Sequence, residues 1–274
     1  MVTHNAPHLT LFCARYARPQ APVHAPAITL LTDFGTADGY VAELKGVLVS
    51  LAPGVPIVDL SHDIPPQDIA FGRLTVARYW RRFPGGTVHL VVVDPGVGTS
   101  RAAIAIASEG RLLVGPDNGV LSPALFSLDA RVVQLPVDAA ASATFHGRDV
   151  FAPVAAQLAL GATLEQIGES YANAVRLRTP PPFRDAHGLL HGEVLTIDRF
   201  GNVVTNLLTR EPHGMVKIAG RAARLVRTYG EAARGELVAL FGSSGFVEVA
   251  VREGSAAAVL GVTRGDSVVL SSGG

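Results

Sequence analysis

The stretch Thr87-Val88-His89-Leu90-Val91-Val92-Val93-Asp94-Pro95-Gly96-Val97-Gly98-Thr99-Ser100-Arg101 decides the fold. Its first seven residues are apolar along nearly their whole length. A strand with one wet face alternates apolar and polar residues. A continuous apolar run belongs to a strand covered on both faces, as in parallel sheets flanked by helices. The run ends at an acid, and Pro95-Gly96 then turns the chain.

Working toward the N-terminus, Pro84-Gly85-Gly86 closes a helix predicted from about Asp68 to Trp80. Before it lie a strand at Pro56–Leu60 and the turn Ser61-His62-Asp63-Ile64-Pro65-Pro66. Val41, Leu44, Leu48 and Leu51 recur at steps of three and four, which is one helical face. Asp38 is the expected cap of that helix, and Pro53-Gly54 stops it. The buried strand Ile28–Thr32 runs into the turn Asp33-Phe34-Gly35-Thr36.

Working toward the C-terminus, strands are expected at Ala102–Ala107, Arg111–Val114 and Val132–Leu135. A helix follows over Val150–Leu160, its start shifted by Pro153. Thr179-Pro180-Pro181-Pro182-Phe183 reads as a linker without regular structure. Beyond it come short glycine-punctuated β runs at Gly192–Ile197, Val203–Leu207, Met215–Ile218, Leu237–Leu240, Phe246–Val251 and Ser267–Leu270. The expected organisation is therefore an irregular extension (1–27), an α/β domain with a parallel sheet and helices on both faces (28–178), a linker (179–189) and a smaller all-β domain (190–274).

Composition narrows the function. The 274 residues are 48% hydrophobic, enough for a sizeable core, and Lys plus Arg (23) equals Asp plus Glu (23). Balanced charge gives no pull toward nucleic acid or an anionic membrane, so a small-molecule partner is expected. The apolar runs are far too short to cross a bilayer. Cys13 stands alone, which excludes an intrachain disulfide and a cysteine metal cluster and fits a reducing cytoplasm. Residues 1–27 hold His4, His8, His24 and four prolines but no apolar core of signal-peptide length.

Ligands of doubly wound sheets bind beyond the carboxyl ends of the strands. The first strand delivers Asp33 there, the second Asp59 with His62 and Asp63, and the third Asp94. Arg101, seven residues on, is within reach of an ion pair with Asp94; Asp94 is equally read as a cap of its own loop with Arg101 on the surface. Asp33 can accept two hydrogen bonds from a vicinal diol, or it can tidy the Phe34-Gly35 turn. His146, in Thr144-Phe145-His146-Gly147-Arg148-Asp149, can donate or accept near neutral pH; alternatively Asp149 caps a helix and His146 is exposed. In the second domain Ile197–Asn206 crowds an acid, an aromatic and two carboxamides around a turn, suited either to a purine or simply to turning the chain. A metal reading is weak. No HxH or DxD spacing occurs, and the HxxxH pairs His4/His8 and His187/His191 lie on no convincing helix. No GxGxxG, P-loop or GxSxG motif is present.

Taken together, Thr32–Gly35, Asp94–Thr99 with Arg101, Pro116–Gly119, Thr144–Asp149, Asp198–Asn202 and Gly242–Gly245 resemble the S-adenosylmethionine hydroxide adenosyltransferases, a family that also includes fluorinases and chlorinases. The matching stretches run in family order from about Ile28 onward. The resemblance implies a parallel-sheet α/β domain joined to a β-barrel-like domain. It also implies a homotrimer binding S-adenosylmethionine between the N-terminal domain of one subunit and the C-terminal domain of the next. Halide-using members carry an aromatic where this chain has Asp94 and lack the matching arginine and histidine. The hydrolytic branch is therefore the better match, with Asp94, Arg101 and His146 as the catalytic group and no metal or organic cofactor. By the same resemblance Asp33 holds the ribose hydroxyls. Tyr40, Asp198, Ser243 and Ser244 sit near the methionine end, Phe200 and Asn202 near the adenine, with Glu248 in the same C-terminal stretch. A halide-using transferase and a non-catalytic sensor of S-adenosylmethionine or adenosine are the competing readings.

Overall fold

The computed structural model describes residues 27–209 and 214–272. The expectations for His4, His8, Cys13 and His24 lie outside the described residues. By its internal packing the chain divides into two units, with the boundary after Arg176.

The first unit is built on a seven-stranded sheet in the order β2-β1-β3-β5-β4-β6-β7. Its strands are β1 (Ile28–Thr32), β2 (Ile57–Ser61), β3 (Val88–Val92), β4 (Ala103–Ser108), β5 (Arg111–Pro116), β6 (Arg131–Gln134) and β7 (Glu169–Ser170). β2, β1, β3 and β5 run parallel, and β4, β6 and β7 extend the sheet by antiparallel pairs. Every residue of β1 and β3 is buried. That is what their unbroken apolar sequences require, because helices cover both faces. On one face α1 (Tyr40–Leu51) and α4 (Ala152–Ala159) pack Leu44, Leu48, Ala155 and Ala156 against Leu30 and Leu90. On the other, α2 (Ile69–Tyr79) and α3 (Ser122–Leu125) enclose Leu31, Val76, Trp80, Val91 and Leu121. A last short helix, α5 (Leu164–Ile167), precedes β7.

Two local expectations are corrected. Asp38 does not cap α1: Gly39, in the left-handed conformation, occupies the cap position without a side-chain bond and leaves Asp38 one residue further out. The helix expected from Val150 begins as a π-helical turn, Gly147–Phe151, and becomes α-helical only at Ala152. Pro153 falls just after the change from π- to α-helical bonding. By contrast Asp68 caps α2, its side chain accepting the Phe71 N–H at 2.9 Å.

The second unit is a closed barrel. Strands β9 (Leu190–Ile197), β10 (Val203–Thr205), β14 (Val247–Val251), β13 (Leu237–Phe241), β12 (Arg221–Val226), β11 (Gly214–Ile218) and β15 (Ser267–Ser272) form a continuous sheet, and β10 pairs with β9 to close it. Inside lie Val194, Val203, Leu207, Val216, Val249 and Val268. Closure leaves no free sheet edge within the ring. Within the segment read as a linker, Phe183–Arg184 forms a short strand, β8, against His191 and Leu190. β12 has no counterpart among the predicted strands; its arginines and alanines are poor strand formers, and the pairings on both sides impose the conformation. The helix α6 (Ala256–Leu260), capped by the Ser255 side chain, was likewise not anticipated. Among the described residues no helix is long and apolar enough to cross a membrane.

Candidate active site

β1 and β3 lie side by side with Thr32 opposite Val92, so Asp33 and Asp94 leave the sheet together at its carboxyl edge. The end of β3 is pinned from the loop after β5: the Asn118 side chain donates to the Val93 carbonyl at 2.8 Å. Both acids line a cavity of 210 Å³ together with Gln67, Val97, Phe145 and His146.

Two of the lining residues, Asp94 and His146, are joined through Arg101, which lies behind the lining. Arg101 Nε donates to Asp94 Oδ1 at 2.9 Å, and Nη2 donates to Oδ2. The same Nη2 also donates to His146 Nδ1 at 2.9 Å. The two side chains of the ion pair are 9% and 5% exposed, so the alternative of a surface arginine is excluded. Charge-assisted paired bonds of this kind fix geometry as well as adding energy. The guanidinium also lies over the Phe151 ring, 5.2 Å from its centroid, and the π-helical turn supplies that ring.

Arginine can only donate, so His146 Nδ1 must accept, and in the neutral ring the hydrogen then sits on Nε2. His146 is 6% exposed. Its pKa is lowered by burial first and by the Arg101 charge second, with Asp94 and Asp149 opposing. The neutral form, an N–H donor at Nε2, is therefore favoured. Gly98 makes the assembly possible. It has φ +74, and an added Cβ would collide with the Ala143 carbonyl in the loop that leads to His146.

Around this group, Asp33 Oδ2 accepts the Gln67 backbone N–H at 2.7 Å. Tyr40 joins Phe34 and Phe145 in an edge-to-face cluster with centroids 5.4–6.0 Å apart. Arg148 ties this wall together. It donates to Glu43 and Asp149 and lies over the Phe145 ring. Asp149 is not a helix cap; it accepts the Ser142 N–H and closes the loop before His146. His62 is buried beneath, between Thr32 and Asp59, and Asp59 also pairs with Lys45. Among the described residues no three His, Cys, Asp or Glu side chains are placed to hold a metal ion.

The second unit carries its own group. Asp198 Oδ1 accepts the backbone N–H of Phe200 and of Asn202, both at 2.9 Å, and Oδ2 accepts the Asn202 side-chain amide at 2.9 Å. The turn so built leaves Phe200 77% exposed while Asn202 is buried. Gly201, φ +81, packs so closely on Ser255 that a Cβ would not fit. Phe200 and Asn202 line a cavity of 790 Å³ with Tyr229, Arg252, Glu253 and Ser255. Ser243 and Ser244 are absent from that lining and occupy the β13–β14 turn, where the Ser244 hydroxyl is buried without a partner among the described residues. Glu248 is buried on β14 against Gly242.

Several of these residues stand out little in the sequence. Gln67 had a usable signal, since Pro65-Pro66-Gln67-Asp68 has proline where a tight turn wants it. Phe151, under the guanidinium, and Tyr229, in a 3₁₀ turn, carry no sequence signal that separates them from ordinary core or loop residues.

Comparison with known proteins bears on what this geometry is for. The family description SAM hydroxide adenosyltransferase N-terminal domain matches residues 28–168, and the C-terminal domain of the same family matches residues 192–269. A protein of Salinispora tropica named (R)-S-adenosyl-L-methionine hydrolase is 44% identical over 260 residues, covering 90% of this chain and 98% of that protein. One of the same name from Thermus thermophilus is 43% identical over 255 residues, 89% of this chain and 98% of that protein. A fluorinase from an Actinoplanes species is 30% identical over 213 residues, 66% of this chain and 72% of that protein. Among solved structures, an uncharacterized conserved protein from Thermotoga maritima superposes with a TM-score of 0.81 at 34% identity, covering 89% of this chain and 99% of that one.

Proposed function

The chain belongs to the SAM hydroxide adenosyltransferase family, and on that premise we propose that it hydrolyses S-adenosyl-L-methionine to adenosine and L-methionine. The observation that carries the reading is the buried Asp94–Arg101–His146 group at the cavity beside Asp33.

The reaction is an in-line displacement at the ribose C5′ carbon. The water oxygen forms a bond to C5′ and the C5′–S bond breaks. Its electron pair stays on sulfur, which leaves as the neutral thioether of methionine. A sulfonium needs no general acid to depart. The residues therefore have to orient one water opposite the C–S bond and receive its proton. In this mechanism His146 Nε2–H donates to the water oxygen, and Asp94 accepts one of its hydrogens through a lone pair not taken by Arg101. Arg101 orients both partners at once. Positioning and proton handling each lower the barrier. Asp33 holds the ribose hydroxyls, and Tyr40, packed on Phe34 and Phe145, lies toward the methionine end. Phe200 and Asn202 face the adenine from a second subunit, with Asp198, Ser243 and Ser244 toward the methionine end and Glu248 behind them. The family resemblance also implies a homotrimer, with the substrate held between units of neighbouring subunits. No metal or organic cofactor is required, and a cytoplasmic location fits a chain with one cysteine.

The test is a product assay with purified protein, S-adenosylmethionine and water. Adenosine and methionine should appear in equal amounts, unchanged by EDTA, with no 5′-chloro-5′-deoxyadenosine when chloride is present. Methylthioadenosine, a halogenated product, or tight binding without turnover would each sink the proposal. Light scattering of the same sample checks the trimer.

A further inference from the structure

Left-handed backbone is strained for any residue with a Cβ, and among the described residues glycine takes fifteen such positions and other residues four. Four non-glycine residues among those described have positive φ: Gln67, Glu109, Ala219 and Glu253. Glu109 and Ala219 each precede a glycine in the tight hairpins β4–β5 and β11–β12, and Glu253 precedes Gly254 in a turn closed by the Gly254 N–H to the Val251 carbonyl at 3.1 Å, so turn chemistry accounts for all three. Gln67 has no such explanation. It is the third residue of the turn Pro65-Pro66-Gln67-Asp68, closed by the Asp68 N–H to the Pro65 carbonyl at 3.0 Å. With proline second and φ +66 third, this is a type II turn, whose third position favours glycine or asparagine. Gln67 lies against the cavity that contains Asp33, Asp94 and His146, and its N–H holds Asp33 Oδ2 at 2.7 Å. Its side chain is exposed, and its carboxamide makes no hydrogen bond among the described residues.

We propose that Gln67 is a further binding residue for the ribose: its backbone N–H fixes one oxygen of Asp33, and its carboxamide hydrogen-bonds a ribose hydroxyl beside that carboxylate. Strain retained at a cavity, where glycine would relieve it, is explained when the side chain does something glycine cannot. The proposal rests on the reading of the cavity as a nucleoside site. Its readout is therefore nucleoside binding and not turnover alone.

The experiment measures Kd for adenosine and for 2′,3′-dideoxyadenosine by calorimetry on the full-length protein and on Gln67→Gly and Gln67→Ala. Gln67→Gly removes the carboxamide and relaxes the turn; Gln67→Ala removes the carboxamide and keeps the strain. Both variants should bind adenosine about 3- to 10-fold more weakly, the loss of one net hydrogen bond. Binding of the dideoxy analogue should not change. The Tm of Gln67→Gly should be no lower than that of the parent, and a merely structural turn residue would leave both Kd values alone. Unchanged adenosine affinity in both variants, or an equal loss for both nucleosides, overturns the role of Gln67 while the functional reading stands. Failure of the parent protein to bind adenosine overturns both.

Discussion

Asp94 and Asp198 look alike in sequence and differ in use. Each follows the end of a strand, and each opens a short turn that contains glycine: Asp94-Pro95-Gly96 and Asp198-Arg199-Phe200-Gly201. Asp198 is taken up by its own loop, with two backbone N–H groups and one side-chain amide on its two oxygens, all within four residues. Asp94 is taken up by a guanidinium seven residues away, which is itself shared with a histidine 45 residues further on. The first arrangement builds a turn that presents Phe200. The second leaves a carboxylate in a cavity, oriented from one side and open on another. A carboxylate satisfied by local backbone shapes the chain, whereas one satisfied by a distant side chain is available for chemistry.

Exchanging each acid for a neutral residue separates the two roles. Asp94→Asn keeps an oxygen for Arg101 and removes the acceptor for the water. We expect turnover to fall by about 10²–10⁴-fold, the range a proton-handling group supplies, with Kd for adenosine little changed. Circular dichroism must show the variant folded, since the pair is buried and an unpaired buried charge costs about 3–5 kcal/mol. A variant that still makes adenosine at the parent rate would remove Asp94 from the mechanism.

Asp198→Ala should do the reverse. It deletes three hydrogen bonds that hold the Phe200–Asn202 turn, each worth about 1 kcal/mol net. The expected result is a lower Tm, a KM raised by about tenfold and a kcat within a few-fold of the parent. Equal damage to kcat would place Asp198 in the same class as Asp94 and dissolve the contrast.

This contrast also marks what the sequence could convey. Strands β1 and β3 were legible because a fully apolar run has few other uses, and α1 because its apolar residues keep helical spacing. The residue types at the strand ends were legible too. Which partner each acid takes was not. Spacing alone left Asp94 divided between a loop cap and an ion pair, and the close packing of Gly98 on Ala143, beside the loop that carries His146, is not written in that spacing. The capping role given to Asp38 failed for a related reason. A left-handed Gly39 shifted the cap by one residue, which a side-chain pattern does not encode. β12 was missed because its pairing on both sides overrides an unfavourable composition.

His146 titrates, and its replacement costs least. Burial and the Arg101 charge lower its pKa below the ordinary 6.5, so the folded protein keeps it neutral to more acidic pH than the unfolded chain does. Protonation would place a hydrogen on Nδ1, against the Arg101 N–H it now accepts. The acid limb of kcat should therefore lie below pH 6.5. Because the unfolded chain takes up the proton more readily, the stability linked to this residue is complete well above pH 6.5. It declines as the pH falls below that value. His146→Gln isolates the donor from the titration. Its carboxamide oxygen can accept from Arg101 and its amide can donate to the water, at no cost in charge. We expect a kcat reduced by about 3- to 10-fold, the scale of one weakened hydrogen bond, and a flattened acid limb. Rate profiles of the two proteins from pH 5 to 8 decide the matter. An acid limb above pH 6.5 in the parent would mean that His146 works as a proton acceptor, and an unshifted limb in His146→Gln would assign the titration to another group.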